Sequence, residues 1–225
     1  MTAHLLDRPI WNTLASGWAH LAQGDARAGR VDPDYGPFGA AAEGNEAALT
    51  GLIPEGGELW IVERSPLAPP PGAMIVREAV LVQMVADGIL GDVTLEPILL
   101  GEADATEMRD LALMTKPGPF HPLTHRVGRF IGIREGGRLI AMAGERMRAP
   151  GFAEVSGVCT HPDFRGRGLA GGLMRLVALR MLAQGETPFL HAYAANTGAI
   201  GLYETLGFRV RAEMHVTIIA RVPPQ

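Results

Sequence analysis

A chain of 225 residues is long enough to bury a sizeable core, and 47% hydrophobic with 20% charged residues excludes a disordered chain. A net charge of −4 with no basic run gives no electrostatic case for nucleic acid or an anionic membrane surface as partner. The one cysteine, Cys159, excludes an internal disulfide and a multi-cysteine zinc site and fits a reducing, cytoplasmic setting.

Asp7 and Arg8 close to the start do not read as a signal peptide, and no stretch approaches the ~20 apolar residues of a membrane span. Ile10, Leu14, Trp18 and Leu21 recur at helical spacing, which predicts a helix over 9–23 stopped by Gly24. Trp11 and Trp18 on it read as core. Residues 29–57 are rich in Gly, Pro and Ala, with turns at 32–34 and 35–37 and a short helix around 40–50. Strands are expected over 58–63 and 79–86, separated by the proline-rich loop 66–72, with a third short apolar run at 95–100.

A cleaner alternation begins at residue 104. Asp104 and Glu107 resemble a capping box for a helix carrying Met108, Leu111 and Met114, which Lys116-Pro117-Gly118-Pro119 ends. Residues 129–134 and 138–147 read as a hairpin about Glu135-Gly136-Gly137. A strand over 152–160 ends at Pro162, and a helix over 167–184 ends at Gly185. A strand at 189–193, a helix at 197–206 capped by Asn196, and a last hairpin of 209–214 with 216–220 complete the chain. The fold class is α/β with a mixed sheet. The composition divides it near residue 100, into an N-terminal α+β region (1–100) and a second unit (101–225).

Chemistry concentrates at the junction of strand 152–160 with the following helix. Arg165, Gly166, Arg167, Gly168, Leu169 and Ala170 form a glycine-rich turn opening a helix. Such a turn exposes backbone N–H groups at the positive end of the helix dipole, and glycines let the backbone approach a ligand. The two arginines add charge for a diphosphate. A plain glycine-rich helix entry with exposed arginines is the alternative. Residues 166–171 also read G-x-G-x-x-G, but Pro162-Asp163-Phe164 separate them from the strand. Glu186 also precedes the next strand instead of ending it, so the dinucleotide reading fails on context. No Lys-Ser or Lys-Thr follows the glycines, which excludes a Walker loop.

Arg165, Gly168 and Ala170 match the signature Gln/Arg-x-x-Gly-x-Gly/Ala, and Asn196, Ala199, Leu202, Tyr203, Leu206, Gly207 and Phe208 match N-x-x-A-x-x-L-Y-x-x-L-G-F. With these two motifs in order about 30 residues apart, the stretch 155–208 resembles the GNAT superfamily of acetyl-CoA-dependent N-acetyltransferases. The resemblance covers roughly 104–220 and does not extend visibly over 1–100. It implies direct attack of an acceptor amine on the thioester of acetyl-CoA, bound as co-substrate without a metal. Val158, Cys159 and Thr160 resemble the splayed strand that pairs with the pantetheine arm, ahead of the cradle Arg165 to Ala170. Tyr203 matches the tyrosine that protonates the leaving thiolate. Glu154, eleven residues before Arg165, stands where the histone-acetylating branch carries its base, and burial there would raise its pKa; the alternative is a strand glutamate that faces outward or pairs with Arg146 or Arg148. Asn196 would cap its helix and touch the cofactor.

His161 and His191 are the alternative bases. His121 and His125 have a metal pair's spacing, but Pro117, Pro119 and Pro122 forbid a regular helix, so no metal site is expected. Cys159 reads as a buried small hydrophobe. The expected acceptor is a primary amine of a small molecule or peptide. A non-catalytic acyl-CoA-binding protein is the competing reading, against which Tyr203 and the complete cradle argue. The first hundred residues are left as a degenerate copy of the same fold, a recognition domain or a homodimerisation unit.

Overall fold

The structure, a computed structural model, describes residues 4–223. The chain runs α1 (Pro9–Leu14), β1 (Ala22–Gly24), β2 (Ala28–Val31), β3 (Gly39–Ala41), α2 (Leu49–Leu52), β4 (Glu58–Glu63), β5 (Ala73–Val85) and β6 (Ile98–Leu100). It continues through α3 (Ala105–Thr115), β7 (Phe130–Glu135), β8 (Arg138–Ala149), β9 (Phe152–Thr160), α4 (Leu169–Ala183), β10 (Thr187–Tyr193), α5 (Thr197–Thr205) and β11 (Arg209–Arg221). Strands β1, β2 and β3 make a small sheet, and the other eight make one mixed sheet in the order β4-β11-β5-β10-β9-β8-β7-β6.

That order crosses the boundary drawn near residue 100. β5, from the first half, lies between β10 and β11, and it is antiparallel to both. The N-terminal residues thus complete the sheet beside β10. They also supply one of its cores, in which Leu6, Ile10, Trp18 and Phe38 pack with Met147, Phe189 and Met214. A second core lies under α4, whose Leu169, Leu173, Met174, Val177, Ala178 and Met181 are buried at helical spacing.

Two expected elements differ. The helix expected over 9–23 ends at Leu14. Gly17 N donates to Arg148 O at 3.2 Å, and a Cβ on Gly17 would lie 2.6 Å from that oxygen. This close contact with the end of β8 turns the chain and buries Trp18, whose indole N–H donates to Arg146 O at 3.1 Å. The expected last hairpin is a single strand, β11. It pairs with β5 from Arg209↔Val85 to Arg221↔Ala73 with register shifts at Val210/Ala212 and Ile218/Ile219. At the expected turn His215 pairs with Val80 of β5 on one edge and with Glu63 of β4 on the other, so the chain stays extended through it.

Candidate active site

β9 and β10 are parallel neighbours for only three residue pairs, from Thr187↔Phe152 to Phe189↔Glu154. Beyond Glu154, β9 stays on β8 and β10 stays on β5, so a gap opens between them. One edge of β9 from Val155 to Thr160 therefore has no strand partner. The bend has a local cause. The β8–β9 register shifts on both sides of Gly144/Ser156, and Gly157 holds φ +61°. A Cβ there would lie 2.7 Å from the Phe130 ring, so the ring occupies the space a side chain would need.

A cavity of about 340 Å³ fills the gap, with Val155, Ser156, Val158, His191, Tyr193 and Tyr203 among its walls. It meets a groove along Val158, Thr160, Arg165, Gly166, Gly168 and Ala170, sharing Thr115, Val158, Ala170 and Leu202 with it. Gly166 and Gly168 have φ of +76° and +73° and open space where a Cβ would stand. Gly168 caps α4 in the left-handed region, which is why that helix begins at Leu169 and not at 167. Thr160 Oγ1 is buried without a hydrogen-bond partner in the groove wall. An unpartnered buried hydroxyl, open glycines and a helix N-terminus fit a ligand carrying phosphate and amide groups.

The two cradle arginines divide. Arg167 is held by Glu135, with Nη2 2.7 Å from Oε2, and lies over the Phe164 ring. Arg165 makes no ion pair among the described residues and is the free cation of the turn. Arg175 on α4 also lines the groove while donating to Leu90 O at 2.7 Å. Nothing in the motif pointed to Arg175.

Tyr203 projects from α5 into the cavity, half-buried, and burial raises its pKa, so the phenol holds its proton at neutral pH. Asn196 is the N-cap of α5, its Oδ1 accepting from Ala199 N at 3.2 Å, and it lines the same cavity. Cys159 contributes to the groove wall, but its side chain packs in the core with Leu111, Phe130 and Met142, and burial pushes the thiol up to about 12.

Glu154 is a correction. It is fully buried at the point where β9 and β10 part, but its pKa falls to about 2. Burial alone would raise it, and Arg146 and His191 reverse the sign. Arg146 Nε and Nη2 donate to its two oxygens at 2.8 Å each, and His191 Nδ1 donates to Oε1 at 2.8 Å. Both oxygens are occupied, so the carboxylate is a counter-ion and a poor proton acceptor. His191 is equally committed. Gln83 Nε2 donates to Leu6 O at 2.9 Å and to His191 Nε2 at 3.0 Å. Arg211 fixes the Gln83 oxygen and reaches Asp7 at 2.7 Å. Gln83 is the one polar residue in the apolar run 79–86, and that was its available signal.

The other histidines are structural. His161 caps the turn at Asp163 N at 3.3 Å, with Nε2 2.6 Å from Arg138 Nη2. His121 Nδ1 meets Pro33 O at 2.7 Å and His125 Nε2 meets Glu102 at 3.0 Å, so the two do not converge.

A mixed sheet that parts beside a glycine-rich helix entry fits an acyl-carrier ligand laid between the strands, and known acetyltransferases are similar to this chain. The family model described as FR47-like protein matches residues 130–216. A crystal structure described as an acetyltransferase of the GNAT family, from Novosphingobium aromaticivorans, is 51% identical, with a TM-score of 0.94, over 98% of this chain and 100% of that one. The chain belongs to the GNAT family of acetyltransferases. A GCN5-related N-acetyltransferase from Kribbella flavida shares the fold at 18% identity and a TM-score of 0.62, over 96% and 95% of the two chains. Among curated proteins, mycothiol acetyltransferase of Corynebacterium glutamicum is 36% identical over 83 residues, which is 36% of this chain and 28% of that protein. The chain thus spans under a third of the length of the curated relatives it matches.

No helix among the described residues is long and apolar enough to cross a membrane.

Proposed function

We propose that this chain transfers an acetyl group from acetyl-CoA to a primary amine of a small molecule or peptide by direct attack. The observation that carries the reading is the continuous path from the cradle at Arg165 to Gly168, along the free edge of β9, to Tyr203. A diphosphate at Arg165 and the α4 N-terminus places a pantetheine-length arm along Val158 to Thr160, where unpaired backbone groups can meet its amides. The thioester then lies in the gap beside Tyr203.

The acceptor nitrogen bonds to the thioester carbon, and the carbon–sulfur bond breaks. Backbone N–H groups on the free edge of β9 stabilise the charge that develops on the carbonyl oxygen. Tyr203 donates its proton to the departing thiolate. The proton lost by the amine passes to water in the cavity, because Glu154 and His191 have no free atom to receive it. The short match to mycothiol acetyltransferase does not carry that protein's acceptor to this chain.

The test is release of free thiol from acetyl-CoA with a panel of amines, together with detection of the acetylated product. Binding of acetyl-CoA without thiol release from any amine would instead make the chain an acyl-CoA-binding protein.

A further inference from the structure

Lys116 is the chain's single lysine, beside nineteen arginines. It is also the one non-glycine residue with positive φ among the described residues, at +51°. It caps α3 by donating its backbone N–H to Ala112 O at 2.7 Å, a place where glycine or asparagine is the usual residue. A long side chain on a residue in that conformation directs attention to what the side chain does.

Its position supplies the use. Beside the cavity in the gap lies a second of about 550 Å³, walled by Leu59, Trp60, Leu113 and Phe120 together with prolines. The two share Trp60, Lys116, Gly118 and Pro119, so Lys116 stands where they join. The charges there are unbalanced. Lys116 has no carboxylate partner among the described residues, and Arg30 donates only to Gln23 and to Leu52 O. The one carboxylate in the second cavity, Glu58, accepts from the Trp60 indole at 3.2 Å. Arg146 at the inner end is neutralised by Glu154.

We infer that the acceptor is an amine carrying a carboxylate on the adjacent carbon and a large apolar side chain, the chemistry of an aromatic or branched α-amino acid. This rests on the acetyl transfer proposed above. The carboxylate pairs with Lys116, the side chain enters the apolar chamber against Trp60 and Phe120, and the amine faces the gap towards Tyr203. Polyamines and other acceptors without an anion meet an uncompensated cation at the same point and are disfavoured.

The experiment measures thiol release from acetyl-CoA with phenylalanine, leucine, phenylalanine amide, phenethylamine and spermidine. The expected kcat/KM is about 10-fold or more higher for phenylalanine than for phenylalanine amide or phenethylamine, the value of a charge-assisted hydrogen bond, and leucine is expected to exceed spermidine. Lys116→Gly fits the backbone conformation and removes the charge, so it keeps its melting temperature. It raises KM for phenylalanine about 10-fold, leaves kcat and KM for acetyl-CoA in place, and abolishes the preference over the amide. Thiol release that is equal or faster with the carboxylate-free amines overturns this inference and leaves acetyl transfer standing. An unchanged KM for phenylalanine in Lys116→Gly overturns it as well. No release with any amine overturns the transfer itself.

Discussion

His191 and Glu154 meet 2.8 Å apart across the point where β9 and β10 separate, and the histidine's other nitrogen faces the Gln83 amide. This contact, with Arg146 on the far side of the carboxylate, ties together the two strands that form the gap. Its role is to fix the geometry of the opening.

Glu154→Gln leaves the Arg146 guanidinium without its counter-ion in a buried site, and should cost about 3–5 kcal/mol at neutral pH. The pH dependence has a definite sign. The folded-state pKa of Glu154 is depressed from 4.5 to about 2, so the stabilisation is complete above 4.5 and is lost as pH falls towards 2. That depression corresponds to about 3 kcal/mol. Thermal melts of the wild type and the variant should therefore differ most above pH 4.5 and converge at lower pH. A constant offset across this range would contradict the ion pair.

With no free carboxylate or imidazole at the gap among the described residues, the acid limb of the rate profile should belong to the acceptor. The rate should rise with pH as the amine loses its proton, and the midpoint should shift when an acceptor of lower amine pKa is used. Glu154→Gln, to the extent that it folds, should keep that midpoint. A midpoint that stays fixed across acceptors and moves in the variant would restore Glu154 as the base.

The two motif arginines should separate in binding. Arg165 is free to meet a phosphate, and its loss should raise KM for acetyl-CoA about 10-fold or more, the scale of a hydrogen bond to a charged group. Arg167 is exposed and paired with Glu135, and solvent screening leaves such a pair little energy. Arg167→Ala should change that KM by less than about 5-fold. Initial-rate kinetics with acetyl-CoA varied would rank the two, and equal effects would place both side chains on the phosphates.

Much of this site could be read before the fold was known, because local chemistry writes it. Gly166 and Gly168 must be glycine for their φ angles, Asn196 must cap, and strand 152–160 was placed to the residue. The periodic segments from 104 onward were also legible, since their apolar spacing is decided within each element. What was not legible depends on residues distant in sequence. Gly17 ends a helix because it meets Arg148, and 209–221 is one strand because β5 runs its whole length. Glu154 carried the right position and the wrong chemistry. Pairing with Arg146 or Arg148 is the alternative the sequence offers for this glutamate, and Arg146 is the partner; His191 on the other side comes from a strand 37 residues away and was not legible. The insertion of β5 next to β10 left no trace in the composition around residue 100.

In the proposed transfer, Tyr203 is the group on which the chemical step turns. Its phenol stays protonated because burial opposes ionisation, and it faces the cavity rather than a protein acceptor. Tyr203→Phe removes only the hydroxyl and leaves the ring against Ile200 and the α4 side chains, so folding should be unaffected. A general acid contributes about 10²–10⁴-fold to a rate, and kcat should fall within that range. KM for acetyl-CoA should move by less than about 3-fold, because a proton donated only as the carbon–sulfur bond breaks adds nothing to ground-state binding. If the phenylalanine variant turns over at the wild-type rate, water protonates the thiolate and the tyrosine is a packing residue on α5. If kcat and KM worsen together, the hydroxyl holds the thioester in place before the reaction.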